Sequence, residues 1–533
     1  MCSRPGGVQV SAGTATFEDT VLRSHRFWHK ASALGADVSS RHVVVDMMVN
    51  HPVYYLGNLI IAKYLELTQG LKVWALISSE ADSQAVLTAK SFGVDGITFV
   101  RDEVAKEASP VVVAILRHLE GTADGELRKR LLAIGINGIP VGDLVYDTYV
   151  RETRQITVTT LDDDLKAYLI LLVNYYTLYE RLMEKLDVGG VVLGHTVYSR
   201  FGVLARMAAK AGRPVYTRFG GKGMRIQRRE GLEAVMDVIF RVRPQEVDGL
   251  SAADDGRAAA LGKETLRRRI GGTENEFQFL NEESYAPDRP TQSVEQFCSR
   301  MDLDPARPKG LVMLHAFSDA VHHTPQMIFD DYHEWFLHTL DVAIGQKDVD
   351  WLFKLHPYDG YYTDDRGPAE RIQAVSNTHA HIRLVPEDLN TRTFPEVASF
   401  LVTINGKAGL EFAGFGVPVL LGGKGFYAGC GFDVAPGSID GYRDRLSSAA
   451  ALRLTGEQVD RALIANDLYY RRAICDCRLL PDSSYTFWKP FDEGTFWGGF
   501  VAAMESGQLE DDPLYAALVN MRDSGAETLT RPE

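Results

Sequence analysis

Apolar and polar positions along this chain fall into two runs of strand, loop and helix, separated by a mostly polar span. In the first run, residues 43–49 (VVVDMMV) are apolar except for one aspartate, which predicts a buried strand, and 53–69 predicts the amphipathic helix that follows it. A strand over 71–78, a helix near 81–92 and a strand over 96–100 continue the alternation. Helices near 102–119 and 125–134 then lead to the block 142-GDLVYDTYVR-151. A long helix is predicted from about Asp162 to Leu186, with an acidic first turn that suits the helix dipole. A strand over 190–195, a helix over 198–212 closed by Gly212, and a strand over 214–219 complete the run. Strands separated by helices imply a parallel sheet with right-handed crossovers.

The second run opens with a strand over 311–317 and a helix from about Pro325 to Ile344. It continues through strands at 351–355, 381–385, 401–404 and 417–421, with helices near 368–376 and 394–399 between them. The expected fold class is therefore α/β, with two Rossmann-like domains facing a cleft and a helical C-terminal segment. The expected boundaries are a flexible segment over 1–40, a first domain over 41–249, a helical insertion and linker over 250–307, and a second domain over 308–490. Residues 491–533 are expected to be helical, with room for a helix to cross back onto the first domain.

Open α/β sheets place ligands just beyond the carboxyl ends of their strands, which directs attention to the loops there. His356 and Pro357 follow the strand at 351–355, whose last charged residue is Lys354. Asn405, Gly406, Lys407 and Gly409 form a small-residue loop at a helix start, suited to an anion, and Glu411 in the first turn could accept two ribose hydroxyls. His315 and Asp319 lie in the loop after 311–317, His195 and Tyr198 after 190–195, and Asn58 near the first helix start. Asp147 could supply a reacting carboxylate. Arg218, Lys222, Arg225, Arg228 and Arg229 form a basic cluster that would suit an anionic acceptor. Each has a plain alternative: His356 as a strand stop, Glu411 as a helix-start acid, Lys407 as a solvated lysine, His195 as a satisfied core histidine, Asp147 as a turn residue, and the basic set as a solvated face.

The His-Pro pair after a strand, 406-GKAGLEFAGFGVPV-419 and the Gly-x-Gly-Phe-Tyr run at 423–427 resemble the bacterial capsule polysaccharide biosynthesis family, which includes retaining β-Kdo transferases. So do 310-GLVMLHAFSDAVHH-323, 329-FDDYHEWFLHTL-340, 142–151 and 195–216, scattered over roughly residues 42–430. The resemblance implies a GT-B fold and a metal-independent glycosyltransferase with no cofactor. A nucleotide-activated sugar, first of all CMP-Kdo, would be the donor, and an oligosaccharide or lipid-linked glycan the acceptor. It puts His356, Asp147 and Asp319 at the reaction. His315, Lys354, Pro357, Asn405, Gly406, Lys407, Gly409 and Glu411 would serve the donor, and Asn58, His195, Tyr198, Arg225 and Arg228 the acceptor. A CDP-polyol phosphotransferase of the teichoic-acid type, a sugar-nucleotide epimerase and a non-catalytic glycan-binding module remain open alternatives.

At 533 residues the chain is too long for one ordinary core, in keeping with two domains. Its net charge of −14 argues against a general nucleic-acid binder. The five cysteines form no metal-ligand spacing, and a reducing, cytoplasmic setting is expected, with at most peripheral contact at the inner face of a membrane. Neither 220-GGKGM-224 nor 422-GGKGF-426 completes a phosphate-binding P-loop, and 333-HEWFLH-338 is not a zinc motif.

Overall fold

The computed structural model of the chain describes residues 16–32, 39–100, 109–122, 124–253, 256–271, 285–286, 288–323, 326–363, 365–482 and 491–531. The glycine-rich start, part of the helix expected near 102–119 and residues 272–284 of the expected insertion lie outside this set. In chain order the strands are β1 (His42–Met47), β2 (Lys72–Ile77), β3 (Gly96–Phe99), β4 (Gly135–Ile136), β5 (Ile139–Pro140), β6 (Val188–Leu193), β7 (Val215–Gly220), β8 (Gly223–Arg229), β9 (Lys309–Met313), β10 (Asp350–Lys354), β11 (Ile382–Leu384), β12 (Phe400–Thr403), β13 (Val419–Leu421), β14 (Asp433–Val434) and β15 (Cys475–Asp476).

Two sheets organise the molecule. The first has the order β15-β8-β7-β6-β1-β2-β3 and the second β11-β10-β9-β12-β13-β14. Every neighbouring pair in the second sheet is parallel. The first sheet is parallel from β7 to β3, and β8 and β15 add an antiparallel edge. β1 is buried at all six positions and β10 at all five, as strands covered by helices on both faces must be. These are two Rossmann-like units whose strand carboxyl ends open on a shared cleft, the GT-B arrangement. Among the described residues no helix is long and apolar enough to cross a membrane.

The structure differs from the sequence expectation in three places. First, 220-GGKGMRIQRRE-230 is the turn and return strand of a β7–β8 hairpin. Gly220 has φ +105°, and a Cβ there would stand 2.4 Å from the Gly223 carbonyl oxygen. Packing on both faces of β8 buries Arg225 and Arg229. Arg225 lies 3.8 Å over the Tyr469 ring, and Arg229 donates to the carbonyls of Val235, Asp237 and Val238. Arg228 pairs with Glu230 and Lys222 with Asp482, so the expected basic cluster is dispersed. Second, the helices Pro244–Ala253 and Arg257–Ile270 contribute to the apolar core of the second sheet. Gly262 lets the second of them touch the helix Gly456–Asp467, since a Cβ there would stand 1.9 Å from the Leu463 carbonyl oxygen. Third, the return to the first domain begins at the π-helical turn Leu468–Arg472 and inserts β15 beside β8, well before residue 491. The helices Glu493–Glu505 and Pro513–Ser524 then join the core that holds Trp28 and Tyr64.

The helix Gly142–Thr153 carries a buried ion pair between the two domains. Asp147 accepts at 2.6 Å from Nδ1 of His322 in the second domain, and also from the His322 backbone N–H. His322 Nε2 donates to the Asp330 carbonyl at 2.9 Å, so both ring nitrogens carry protons and the ring is an imidazolium. Burial alone would lower the His322 pKa, but the Asp147 carboxylate outweighs it and holds the value at about 9. One turn earlier, Tyr146 donates to Asp331 at 2.7 Å, and Thr157 shares that carboxylate. Asp147 is thus engaged in joining the domains and is not free for substrate. A pKa raised on folding adds stability that is complete below the unfolded histidine value of ~6.5 and is lost as pH rises through about 9. Asp147→Asn should lower unfolding free energy by about 3 kcal/mol at pH 7. The gap to wild type in urea melts should narrow as the pH passes 9.

Candidate functional site

The carboxyl end of β12 is held from behind. His315 Nε2 accepts from the N–H groups of Ile404 at 3.2 Å and Asn405 at 3.4 Å, which leaves its proton on Nδ1. The ring stacks on Tyr332 at 4.5 Å, and burial pushes its pKa well below the ordinary value. His315 is therefore a neutral support for the loop and not a donor contact. Asn405 bridges inward as well, giving Nδ2–H to His323 Nε2 and taking the Phe426 N–H on Oδ1. Gly409 is required by packing: a Cβ there would stand 1.8 Å from Tyr427 Oη, and that hydroxyl donates to the Gly406 carbonyl.

Glu411, expected to meet a ribose, is buried inside the second domain. Its carboxylate accepts from Arg269 Nε, from the Tyr285 hydroxyl and, at 2.6 Å, from the Tyr470 hydroxyl. Burial opposes ionisation, yet Arg269 and these hydroxyls keep the pKa below the usual glutamate value. Arg269 lies 4.2 Å over the Tyr470 ring. This carboxylate fastens the helix after β12 to the segment that returns to the first domain, and it has no oxygen free for a ligand.

The centre of the cleft lies between β9, β10 and β6. Asp319, 38% exposed, accepts from the Tyr198 hydroxyl at 2.9 Å across the domain boundary and stands 3.9 Å from Arg151 Nη1. Arg151 in turn covers the Tyr362 ring at 4.2 Å. Tyr198 has φ +62° and Ala320, next to Asp319, has φ +46°, a left-handed backbone that is costly for residues with a Cβ and that collects at functional sites. His356 accepts the Tyr358 N–H on Nδ1 at 3.2 Å, so it presents Nε2–H. Burial lowers its pKa to about 4; Asp319 opposes that shift, while Lys354 and Lys407 add to it. The imidazole is neutral at physiological pH, and positive charge comes from the lysines. Lys407 Nζ is 5.7 Å from the ring of Phe219, which belongs to the first domain. His195, with its pKa pushed down to about 4 by burial, lies against Tyr54 and Phe201 and makes no hydrogen bond among the described residues.

Of the residues singled out in the sequence, Asp319, Lys354, His356, Lys407, His195 and Tyr198 gather here, with Pro357 exposed at the rim. Asn58 does not: its amide joins the Asp46 carbonyl to Arg218 Nε in the buried floor of the first sheet. Arg225 and Arg228 point elsewhere, as described. Arg151, Tyr362 and Arg269 were missed. Asp143, Asp147 and Arg151 stand four residues apart, a spacing that lines one helical face, so reading 142–151 as a helix would have exposed Arg151. A side cavity of about 620 Å³, lined by Asp237, Arg241, Arg243, Lys424 and Asp433, is separate from this centre and contains none of its residues.

No protein-family model matches the sequence, and comparison with curated proteins finds no match. Among solved structures, Thermosulfurimonas dismutans KpsC, a β-Kdo 2,4 transferase, aligns over 52% of this chain and 88% of its own at 14% identity and a TM-score of 0.30. The S. aureus MnaA complex with UDP covers 80% and 91% at 11% identity and a TM-score of 0.28. A Thermobaculum terrenum O-GlcNAc transferase mutant covers 95% and 75% at 11% identity and a TM-score of 0.29. Likeness at this level carries no argument about chemistry, and the fold assignment rests on the sheets themselves.

Because Glu411 balances a buried guanidinium, Glu411→Gln should destabilise the protein by about 3 kcal/mol and lower the melting temperature by several degrees. An unchanged melting temperature with weaker nucleotide binding would restore the ribose role.

Proposed function

We propose that this chain is a glycosyltransferase that takes its sugar from a nucleotide-activated donor bound by the second domain and passes it to a glycan acceptor held against the first. The observation that carries the reading is the meeting, at the carboxyl ends of both sheets, of one partly exposed carboxylate with a set of hydrogen-bond donors. Asp319 supplies the carboxylate, and the neutral Nε2–H of His356 with the Lys354 and Lys407 ammonium groups supplies the donors. Sugar transfer needs both: fixed donors where negative charge gathers on the departing phosphate, and a carboxylate at the anomeric carbon or the attacking hydroxyl. Tyr198 and Arg151 hold Asp319 from the acceptor side. The sequence resemblance makes CMP-Kdo the first donor to test and a capsule or surface polysaccharide the first acceptor class.

The test is transfer or donor hydrolysis over a panel of CMP-, UDP-, GDP- and TDP-linked sugars. With the active donor, His356→Ala should lower kcat on the order of a hundredfold, and Asp319→Asn by at least as much with donor affinity retained. Because His356 stays neutral, kcat should show no histidine-like inflection between pH 6 and 8 that vanishes in His356→Ala. Full kcat in both variants, or no donor consumed by wild type, would defeat the reading.

A further inference from the structure

The side cavity set apart from the cleft centre has walls fixed by backbone hydrogen bonds. One wall is the segment 237–245, which leaves the edge of the first sheet. Arg229 of β8 donates to the Asp237 carbonyl at 2.9 Å, and the Phe240 N–H donates to Gln227 of the same strand at 2.8 Å. The other wall is the glycine-rich loop 422-GGKGFYAGCGF-432, which joins β13 to β14. Gly429 at φ +87° and Gly431 at φ +96° give that loop left-handed turns that a residue with a Cβ would resist. The Val242 N–H donates to the Phe426 carbonyl at 2.8 Å and ties the two walls together. The cavity is thus formed before any ligand arrives, and its volume of about 620 Å³ lies within the range of small-molecule sites, roughly 300–1,000 Å³.

Charge crowds this cavity without cancelling. Arg241, Arg243 and Lys424 line it together with Asp237 and Asp433. Arg241 Nη1 pairs with Asp237 at 2.9 Å, and Arg243 pairs with Glu527. Lys424 and Asp433 line the same space, yet among the described residues neither has an ion-pair partner and the two do not meet each other. The half-buried Asp433 carboxylate takes the Gly429 N–H, at 3.1 and 3.3 Å from its two oxygens, which leaves it further lone pairs. An ammonium and a carboxylate held apart across one cavity suit a ligand that carries an anionic group for the first and hydroxyls for the second. With three cations to two carboxylates, the lining favours an anion over a cation.

We propose that this cavity is a second carbohydrate site, distinct from the nucleotide centre, for a hydroxylated sugar ring that carries one phosphate or carboxylate. Lys424 and Arg241 meet the anionic group, and Asp433 accepts from ring hydroxyls. The cavity shares no residue with the strand-end centre, so the proposal does not rest on the glycosyltransferase reading. Its ligand touches a segment anchored on the first sheet and a loop of the second, and so bridges the chain where it passes between them.

Calorimetric titration of the full chain with glucose 6-phosphate, glucuronate, glucose and inorganic phosphate tests this, with amide hydrogen exchange to place the ligand. At least one of the two acidic sugars should bind wild type with a Kd of about a millimolar or tighter, and the one that binds better identifies the anionic group. Glucose and inorganic phosphate should each bind about tenfold more weakly or less, since each offers half of the contacts. Slowed exchange should fall on 237–245 and 424–435. Lys424 is exposed, so Lys424→Glu should melt within about two degrees of wild type while weakening the acidic sugar on the order of thirtyfold. Asp433→Asn should weaken the acidic sugar but not inorganic phosphate, because only the sugar brings hydroxyls; a bare charge effect would strengthen both. Inorganic phosphate that binds as tightly as the acidic sugars would reduce the cavity to an anion site and overturn the carbohydrate claim. No binding of either acidic sugar, wild-type affinity in Lys424→Glu, or protection outside the two walls would overturn the proposal, and each of these results would leave nucleotide binding at the strand ends to stand or fall by its own titration.

Discussion

The imidazolium of His322, held between the Asp147 carboxylate and the Asp330 carbonyl, is the contact on which the cleft depends. Two domains would ordinarily move against each other, since interdomain surfaces are seldom strong enough to forbid it. Here the charge pair is buried, and removing either partner would strand the other in a medium of low polarity. Its geometry fixes the helix Gly142–Thr153 against residues 319–323 and 326–331. The next residue on that helical face, Arg151, consequently reaches Tyr362 and Asp319. The chemistry proposed for Asp319 therefore relies on a contact that does none of it.

A second buried charge does comparable work inside the second domain. Glu411 gathers Arg269, Tyr285 and Tyr470, and Tyr470 lies on the π-helical turn where the chain leaves for the first sheet. Arg225 of β8 stacks on Tyr469 of the same turn. The helix that starts just beyond the β12 loop, the crossover and the edge of the first sheet are thus linked by the Glu411–Tyr470 hydrogen bond and the Arg225–Tyr469 stack. A shift of the crossover would be felt at the strand end that carries Asn405 and Lys407. Arginine suits both places because its planar cation stacks on rings while still donating hydrogen bonds.

Much of the architecture was legible because its signal is periodicity. The mostly apolar runs of β1 and β10 announced buried parallel strands, and the helix expected after β1 is there, although the structure buries it on nearly every side where an amphipathic one was expected. The strand-end rule singled out His195 and Tyr198, and the same rule with the family-like blocks singled out His356 and Asp319; the structure brings the four together. What failed were statements about partners. Glu411 looks like a ribose ligand until Arg269 arrives from 142 positions away, and Asp147 looks free until His322 arrives from 175. Arg225 and Arg229 look solvated because each is a charged residue in a basic run, whereas packing on both faces of β8 buries them against groups absent from the local pattern. Local pattern reports which face a side chain occupies, not what waits on the other side.

The central claim, that one cleft between the two sheets receives an activated nucleotide, is tested most directly by amide hydrogen exchange with and without the nucleotide that binds. The account predicts slowed exchange in two separated regions, residues 354–363 with 403–409 in the second domain and 195–200 in the first, and little change around the side cavity at 237–245. Protection at 237–245 and 424–435 with none at the strand ends would contradict it, and would move the ligand site to that cavity.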